Sequence, residues 1–133
     1  MALHRAERLK GVHPDLVRVV MAAAERIDFT ITCGLRTYEE QCRLVAEGKS
    51  QTLRSRHLTG HAIDFCVIED GLACWDFDKY RRVAAVIKEE AKRLKIPVVW
   101  GGDWKTFKDG PHVELPEADY PAKVASRPGK KAA

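Results

Sequence analysis

No apolar run in the 133-residue chain approaches the roughly 20 residues needed to cross a bilayer, so a membrane-spanning protein is not expected. The N-terminal stretch also lacks the apolar core of a secretory signal, since His4, Arg5, Glu7, Arg8 and Lys10 stand in its place. A soluble protein made in a cytoplasm is the expectation. Cys33, Cys42, Cys66 and Cys74 form no C-x-x-C spacing, which argues against a zinc ribbon or a thioredoxin-like redox centre. They read as reduced core thiols, with Cys33 and Cys66 in apolar, strand-like runs where free cysteine behaves as a small hydrophobe. A disulfide is the alternative for a protein working outside the cytoplasm. Aromatics do not interleave with basic residues in a nucleic-acid-binding pattern, so no nucleic-acid partner is expected. Internal repeats are absent too.

What is present suits one globular domain. With 45% apolar residues, a chain of this length buries roughly two-thirds of its unfolded surface. The net charge of +4 and pI near 8.9 favour anionic partners without choosing among them. Apolar residues at helical spacing from Asp15 to Ile27, with Pro14 at the start, predict a helix. Asp28 to Cys33 alternates Phe29, Ile31 and Cys33 against polar neighbours and predicts a strand. Thr37 and Glu40 have the spacing of a capping box for a second helix reaching about Gly48. Lys49 to Arg56 reads as a polar loop. Ala62 to Ile68 predicts a strand with Ile63, Phe65 and Val67 inward and Asp64 on the opposite face. A long helix, capped by Asp76 or Asp78, is expected from Tyr80 to about Lys95. Short strands follow at Pro97 to Trp100 and Pro111 to Leu115, separated by a Gly101-Gly102 turn. The mixture implies an α+β fold, a small, mainly antiparallel sheet flanked by about three helices. Residues 1–121 are expected to form the domain, and 122–133 a disordered basic tail.

The segment from Ser55 to Asp64 holds two histidines and a carboxylate within ten residues. His57 and His61 stand four apart, as the helical ligands of H-E-x-x-H metalloproteases do. That reading fails because Leu58 occupies the place of the catalytic Glu and Thr59-Gly60 is a poor helix interior. The alternative takes His57 from a loop and Asp64 from the next strand, Gly60 permitting the tight turn between them. His112, after the turn former Gly110-Pro111, is the candidate third ligand. Two imidazoles and one carboxylate leave a coordination position open, as catalytic rather than structural zinc sites do. Asp109, three residues before His112, is placed to act as general base on an attacking water.

The run Ser55-Arg56-His57-Leu58-Thr59-Gly60-His61-Ala62-Ile63-Asp64 resembles the S-x-H-x-x-G-x-A-x-D motif of the M15 metallopeptidases, the D-alanyl-D-alanine peptidase family. Asp109-Gly110-Pro111-His112 resembles their D/E-x-x-H motif, in the right order. Within that family, Cys33-Gly34-Leu35-Arg36-Thr37 and Trp100-Gly101-Gly102-Asp103-Trp104 are similar to phage endolysins of the L-alanyl-D-glutamate peptidase type. The resemblance spans roughly Arg8 to Pro116. It implies an M15/Hedgehog-like fold with one catalytic Zn2+ on the sheet, bound by His57, Asp64 and His112. It also implies Asp109 as base and Arg36 holding the substrate carbonyl or oxyanion, a task that suits a permanently charged fork of donors.

The implied activity is hydrolysis of the L-Ala to D-Glu bond of peptidoglycan stem peptides, by a monomer that reaches the wall from the host cytoplasm through a holin-type pore. A D-alanyl-D-alanine carboxypeptidase or dipeptidase with the same site, or a zinc-containing wall-binding module without turnover, are the alternatives. Ser55, His61, Trp100, Asp103 and Glu114 are further candidates for substrate contact or ligand orientation. Glu114, on the same strand face as His112, competes with Asp109 for the base role. Trp100 and Trp104 are expected to be part core and part pocket wall, and His4 and His13 to take no part in the chemistry.

Overall fold

A computed structural model describes residues 6–50, 55–106 and 108–121 of the chain; the expected basic tail lies outside them. The helices are α1 (Pro14–Ala24), α2 (Tyr38–Ala46) and α3 (Phe77–Leu94), and the strands β1 (Phe29–Cys33), β2 (Ala62–Glu69), β3 (Leu72–Cys74), β4 (Val99–Trp100) and β5 (His112–Glu114). Short 3-10 turns lie at Ala6–Leu9, Arg56–Thr59 and Gly101–Asp103. Among the described residues no helix is long and apolar enough to cross a membrane.

Local chemistry sets the helix ends. Pro14 opens α1, with the His13 ring accepting from the Asp15 amide at 3.0 Å. Thr37 and Glu40 form the expected capping box. Asp76, rather than Asp78, caps α3, which starts at Phe77, three residues before the expected Tyr80. The first helix ends at Ala24, short of Ile27, because the Glu25 and Arg26 amides bond the Ala22 and Ala23 carbonyls in a tightened last turn.

All strand pairs are antiparallel, in the order β1-β2-β5-β4, with β3 also on β2. The strand β3 was not expected. Asp70 and Gly71 both take positive φ, 53° and 77°, as a two-residue hairpin turn of the Asp-Gly kind requires, and this folds Leu72–Cys74 back on β2. One sheet face carries Ile31, Ile63, Phe65 and Val113 into a core with Leu16, Val19 and Val20 of α1 and Val83, Ala84 and Ile87 of α3. The other face carries the polar chemistry. Asp64 is paired with Cys33 on one side and His112 on the other, so all three stand at one level of the sheet.

Contrary to expectation, Cys33 does not lie in the core. Strict alternation would place it with Phe29 and Ile31 in the core, but the pairing shifts between Ile31 and Cys33. The resulting bulge turns Cys33 to the face that carries Asp64, as bulges beside functional sites often do. All four cysteines are free thiols.

Candidate active site

The Ser55 side chain accepts from the His57 amide at 3.1 Å and starts the 3-10 turn that carries His57. Gly60 closes that turn at φ 77°. Any Cβ there would stand 2.3 Å from the Gly11 carbonyl oxygen, so the bend requires glycine. His57 is thereby buried against the polar sheet face. Its Nδ1 lies 2.9 Å from the Gly34 carbonyl and its Nε2 3.2 Å from Asp64 Oδ1. From the opposite side His112 brings Nδ1 to 3.4 Å of the same oxygen, while its Nε2 lies 2.7 Å from Glu114 Oε1.

Each ring thus aims one nitrogen at Asp64 and ties the other to a fixed acceptor. With an N–H at both positions a ring is the imidazolium, and both acidities shift toward that form. Burial opposes a charge on His57, but its bonds to Asp64 and Cys33 outweigh burial and push its pKa up to about 10. His112 is also raised, burial being outweighed by Asp64 and Glu114. Burial disfavours the Asp64 carboxylate too, yet the two histidines hold it well below the usual range. Exchanging the two inner protons for a cation leaves the same geometry with two neutral nitrogens and a carboxylate. That donor set, with outer nitrogens anchored by a backbone carbonyl and a carboxylate, fits a divalent metal.

Two groups of potential ligand atoms, each mutually within 4.8 Å, meet at Asp64: Cys33 with His57 and Asp64, and Asp64 with Asp109 and His112. Asp109 is set by Gly101. The Asp109 amide donates to the Gly101 carbonyl at 3.0 Å, and a Cβ on Gly101 would lie 2.4 Å from the Asp109 carbonyl oxygen. Burial and then the nearby Asp64 charge raise the Asp109 carboxyl above its ordinary pKa, a useful direction for a proton acceptor that must later act as a donor.

The site opens into a cleft of about 950 Å³ whose wall includes Arg36, Ser55, Trp104, Lys105, Asp109 and Glu114. A group of potential metal ligands flanked by a carboxylate and an arginine, at the floor of an open cleft, is the equipment of a hydrolase. The sequence pattern of the phage L-alanyl-D-glutamate peptidases matches residues 1–116. The chain belongs to this family.

It is 32% identical to the L-alanyl-D-glutamate peptidase of Escherichia phage T5 over 120 residues, 86% of this chain and 87% of that protein. It is 36% identical to the peptidoglycan L-alanyl-D-glutamate endopeptidase CwlK of Bacillus subtilis over 109 residues, 71% of this chain and 64% of the relative. The solved Serratia marcescens L-Ala D-Glu endopeptidase ChiX superposes with a TM-score of 0.84 at 48% identity, covering 87% of this chain and 89% of that one. The chain is accordingly a peptidase with the three-helix, antiparallel-sheet fold of these relatives.

Within this peptidase the other expected residues separate. Glu114 bonds the outer nitrogen of His112 and so orients a ring. Arg36 sits in the cleft, with one guanidinium nitrogen on Gln41 Oε1 at 2.7 Å and the other 3.2 Å from Cys33 Sγ and 3.5 Å from Asp64 Oδ2. His61 lies away from the cleft, its ring 5.4 Å from His13 and its Nδ1 2.8 Å from Thr59 Oγ1. Trp100 is a core residue rather than a pocket wall, 3% exposed, with Nε1 donating to the Gly110 carbonyl at 2.6 Å. Trp104 does line the cleft, its ring centroid 5.1 Å from that of His112. Asp103 is exposed and pairs with Lys88 at 2.5 Å, outside the cleft wall.

Three residues that brace the site were not expected to do so. Gln41 is fully buried and its Oε1 accepts from the Arg36 guanidinium at 2.7 Å; no pattern in the sequence of α2 marks it. Arg56 donates to the Leu115 and Tyr120 carbonyls at 2.6 and 3.0 Å, which ties the His57 turn to the chain following His112. Cys33 touches both Arg36 and His57. Burial would raise its thiol pKa, but His57 and Arg36 lower it.

Proposed function

We propose that this peptidase is a zinc-dependent endolysin that hydrolyses the L-Ala to D-Glu bond of peptidoglycan stem peptides. The observation that carries this reading is the convergence of His57 Nε2 and His112 Nδ1 on one oxygen of Asp64, at 3.2 and 3.4 Å. The names of the relatives supply the scissile bond, and kinship with phage enzymes supplies the biological setting. When bound, zinc supplies Lewis-acid polarisation of the scissile carbonyl and makes water a better nucleophile at neutral pH.

The chain supplies the rest. His57, Asp64 and His112 would hold the cation, and Glu114 and the Gly34 carbonyl would fix which imidazole nitrogen faces it. Asp109 takes the proton from the attacking water at its carboxylate and returns it to the leaving D-Glu nitrogen. Arg36, held by Gln41, presents its guanidinium to the carbonyl oxygen as negative charge builds there. Trp104 and the cationic residues of the cleft wall position an anionic peptide. In this reading the protein works as a monomer and reaches the wall from the host cytoplasm through a holin-type pore.

Digestion of purified peptidoglycan by zinc-loaded protein, with mass spectrometry of the products, tests the assignment. New N-terminal D-Glu and released L-Ala termini are expected, and treatment with a chelator abolishes them. Free D-Ala without L-Ala to D-Glu cleavage would replace the reading with a carboxypeptidase. Binding of sacculi and zinc without any cleavage would replace it with a wall-binding module.

A further inference from the structure

On the far side of the Asp109-Gly110-Pro111 turn lies an apolar surface that the chemistry above does not use. Leu72 and Trp75 are 73% and 71% exposed, and Phe77 is 37% exposed. They fall within six consecutive positions, from the end of the β2–β3 hairpin to the start of α3. The rings are held in place. Trp75 is stacked on Tyr80 at 6.1 Å with an interplanar angle of 14°, and Tyr80 is itself stacked on buried Phe65 at 5.3 Å. Phe77 is stacked on Trp100 at 5.5 Å, with the Arg81 guanidinium 5.2 Å from its centroid. Trp75 therefore presents one flat, rigid face to solvent.

The surface meets the back of the turn that carries Asp109. Gly110, next to Asp109, has Phe77 and Tyr80 as the nearest atoms to its Cβ direction, at 3.5 and 3.7 Å. Trp75 follows the Cys74↔Val67 pair, on the approach to Phe65, whose amide bonds the Pro111 carbonyl at 2.9 Å.

We propose that Trp75, flanked by Leu72 and Phe77, is a stacking platform for the amino-sugar backbone of the peptidoglycan strand whose stem peptide enters the cleft. The proposal rests on the peptidoglycan-peptidase reading. In that polymer the scissile bond follows the first stem residue, which is joined to its sugar by a three-carbon lactyl bridge. Two residue lengths of chain span about 7 Å, so the sugar lies just outside the cleft, and a glycan strand leaving on the Asp109 side passes over the turn that Phe77 packs against. A flat aromatic face ringed by hydrogen-bonding groups matches a sugar, with C–H groups on its face and hydroxyl and amide groups at its rim. Asp76, next to Trp75 in the chain, and the Asp78–Arg81 pair beside Phe77, all exposed, supply such groups. The acidic residues Asp70, Asp76 and Asp78 oppose an anionic bilayer. Three side chains offer a few hundred Å² at most, against about 800 Å² per partner in a stable dimer.

The test uses zinc-loaded full-length protein, wild type, Trp75→Ala and Trp75→Phe, with two probes: glycan strands stripped of stem peptides, and a soluble L-Ala-D-Glu-containing tripeptide. Wild type should co-sediment with the stripped glycan. Trp75→Ala should bind it about tenfold more weakly and lyse whole sacculi correspondingly more slowly, and Trp75→Phe should retain most of the binding. Turnover of the soluble tripeptide should be unchanged in both variants, because Trp75 lies outside the cleft. Equal glycan binding by wild type and Trp75→Ala overturns the proposal, as does a variant that loses tripeptide and sacculus activity in the same proportion. Concentration-dependent dimerisation that disappears in Trp75→Ala, without glycan binding by wild type, overturns it in favour of self-association. Wild type that binds glycan but never cleaves the tripeptide leaves the platform standing and removes the peptidase reading instead.

Discussion

Replacing Glu114 by Gln separates the two carboxylates that compete for the role of base. The Glu114 side chain, 19% exposed, receives the His112 Nε2 proton at 2.7 Å. Gln keeps an acceptor of nearly the same shape but removes the charge, and a charge-assisted bond is roughly twice as strong as a neutral one. A loss of about 1–2 kcal/mol is expected, felt as a less basic His112 Nδ1 and a zinc Kd about 10- to 30-fold higher. Once zinc is saturating, kcat should fall by no more than about threefold. Asp109→Asn should do the opposite, leaving zinc affinity near wild type and lowering kcat about 10²- to 10⁴-fold. Zinc affinity is read by competition with a chromophoric chelator, and kcat on a soluble stem peptide over a zinc titration. A Glu114→Gln protein with wild-type zinc affinity that stays inactive at saturating zinc would make Glu114 the base and refute this division of labour.

Other outcomes follow from the same geometry. Because His57 is pushed up to about 10, its ring carries an extra proton at neutral pH that a cation must displace, and the upward shift of His112 acts in the same direction. Zinc binding should therefore release protons and tighten as pH rises towards 10, seen by calorimetry in buffers of different ionisation enthalpy; heats independent of buffer would contradict it. The sign for metal-free stability is the reverse. The raised His57 contributes fully below its unfolded pKa of 6.5, and the contribution is lost as pH rises through about 10, so the metal-free Tm should fall over that window. Arg36→Lys keeps the charge but cannot hold Gln41 and the cleft with one rigid fork, and should lower kcat about 100-fold with zinc affinity unchanged; a larger effect on zinc binding than on kcat would reject the assignment. Gly60→Ala adds a Cβ at positive φ against the Gly11 carbonyl and should cost about 1–3 kcal/mol, measured as a lower Tm; an unchanged Tm would show that the turn can relax.

Features governed by near neighbours in the chain were legible in the sequence. The Thr37–Glu40 capping box, the inward set Ile63, Phe65 and Val67, and the left-handed turn at Gly60 follow from spacing and residue type. The association of His57, Asp64 and His112 needed the motif as well, because only strand register places Asp64 opposite His112. Features decided by tertiary context escaped. The bulge after Ile31 depends on how β1 meets β2, and it moved Cys33 from the core to the site. The hairpin signal Asp70-Gly71 was present, but Leu72–Cys74 is too short and too exposed to register as a strand by alternation. Trp100 became core because Phe77, 23 residues earlier in the chain, stacks on it. Gln41 at a buried helical position is intelligible only once Arg36 is seen beside it.

The most direct measurement is anomalous diffraction at the zinc edge from crystals of zinc-loaded protein. A single peak about 2.0–2.1 Å from both His57 Nε2 and His112 Nδ1, with Asp64 as third ligand and Asp109 unligated beside it, is the predicted result. A peak bound through Cys33 in place of His112, or none in this cleft while the protein still digests peptidoglycan, would contradict the account.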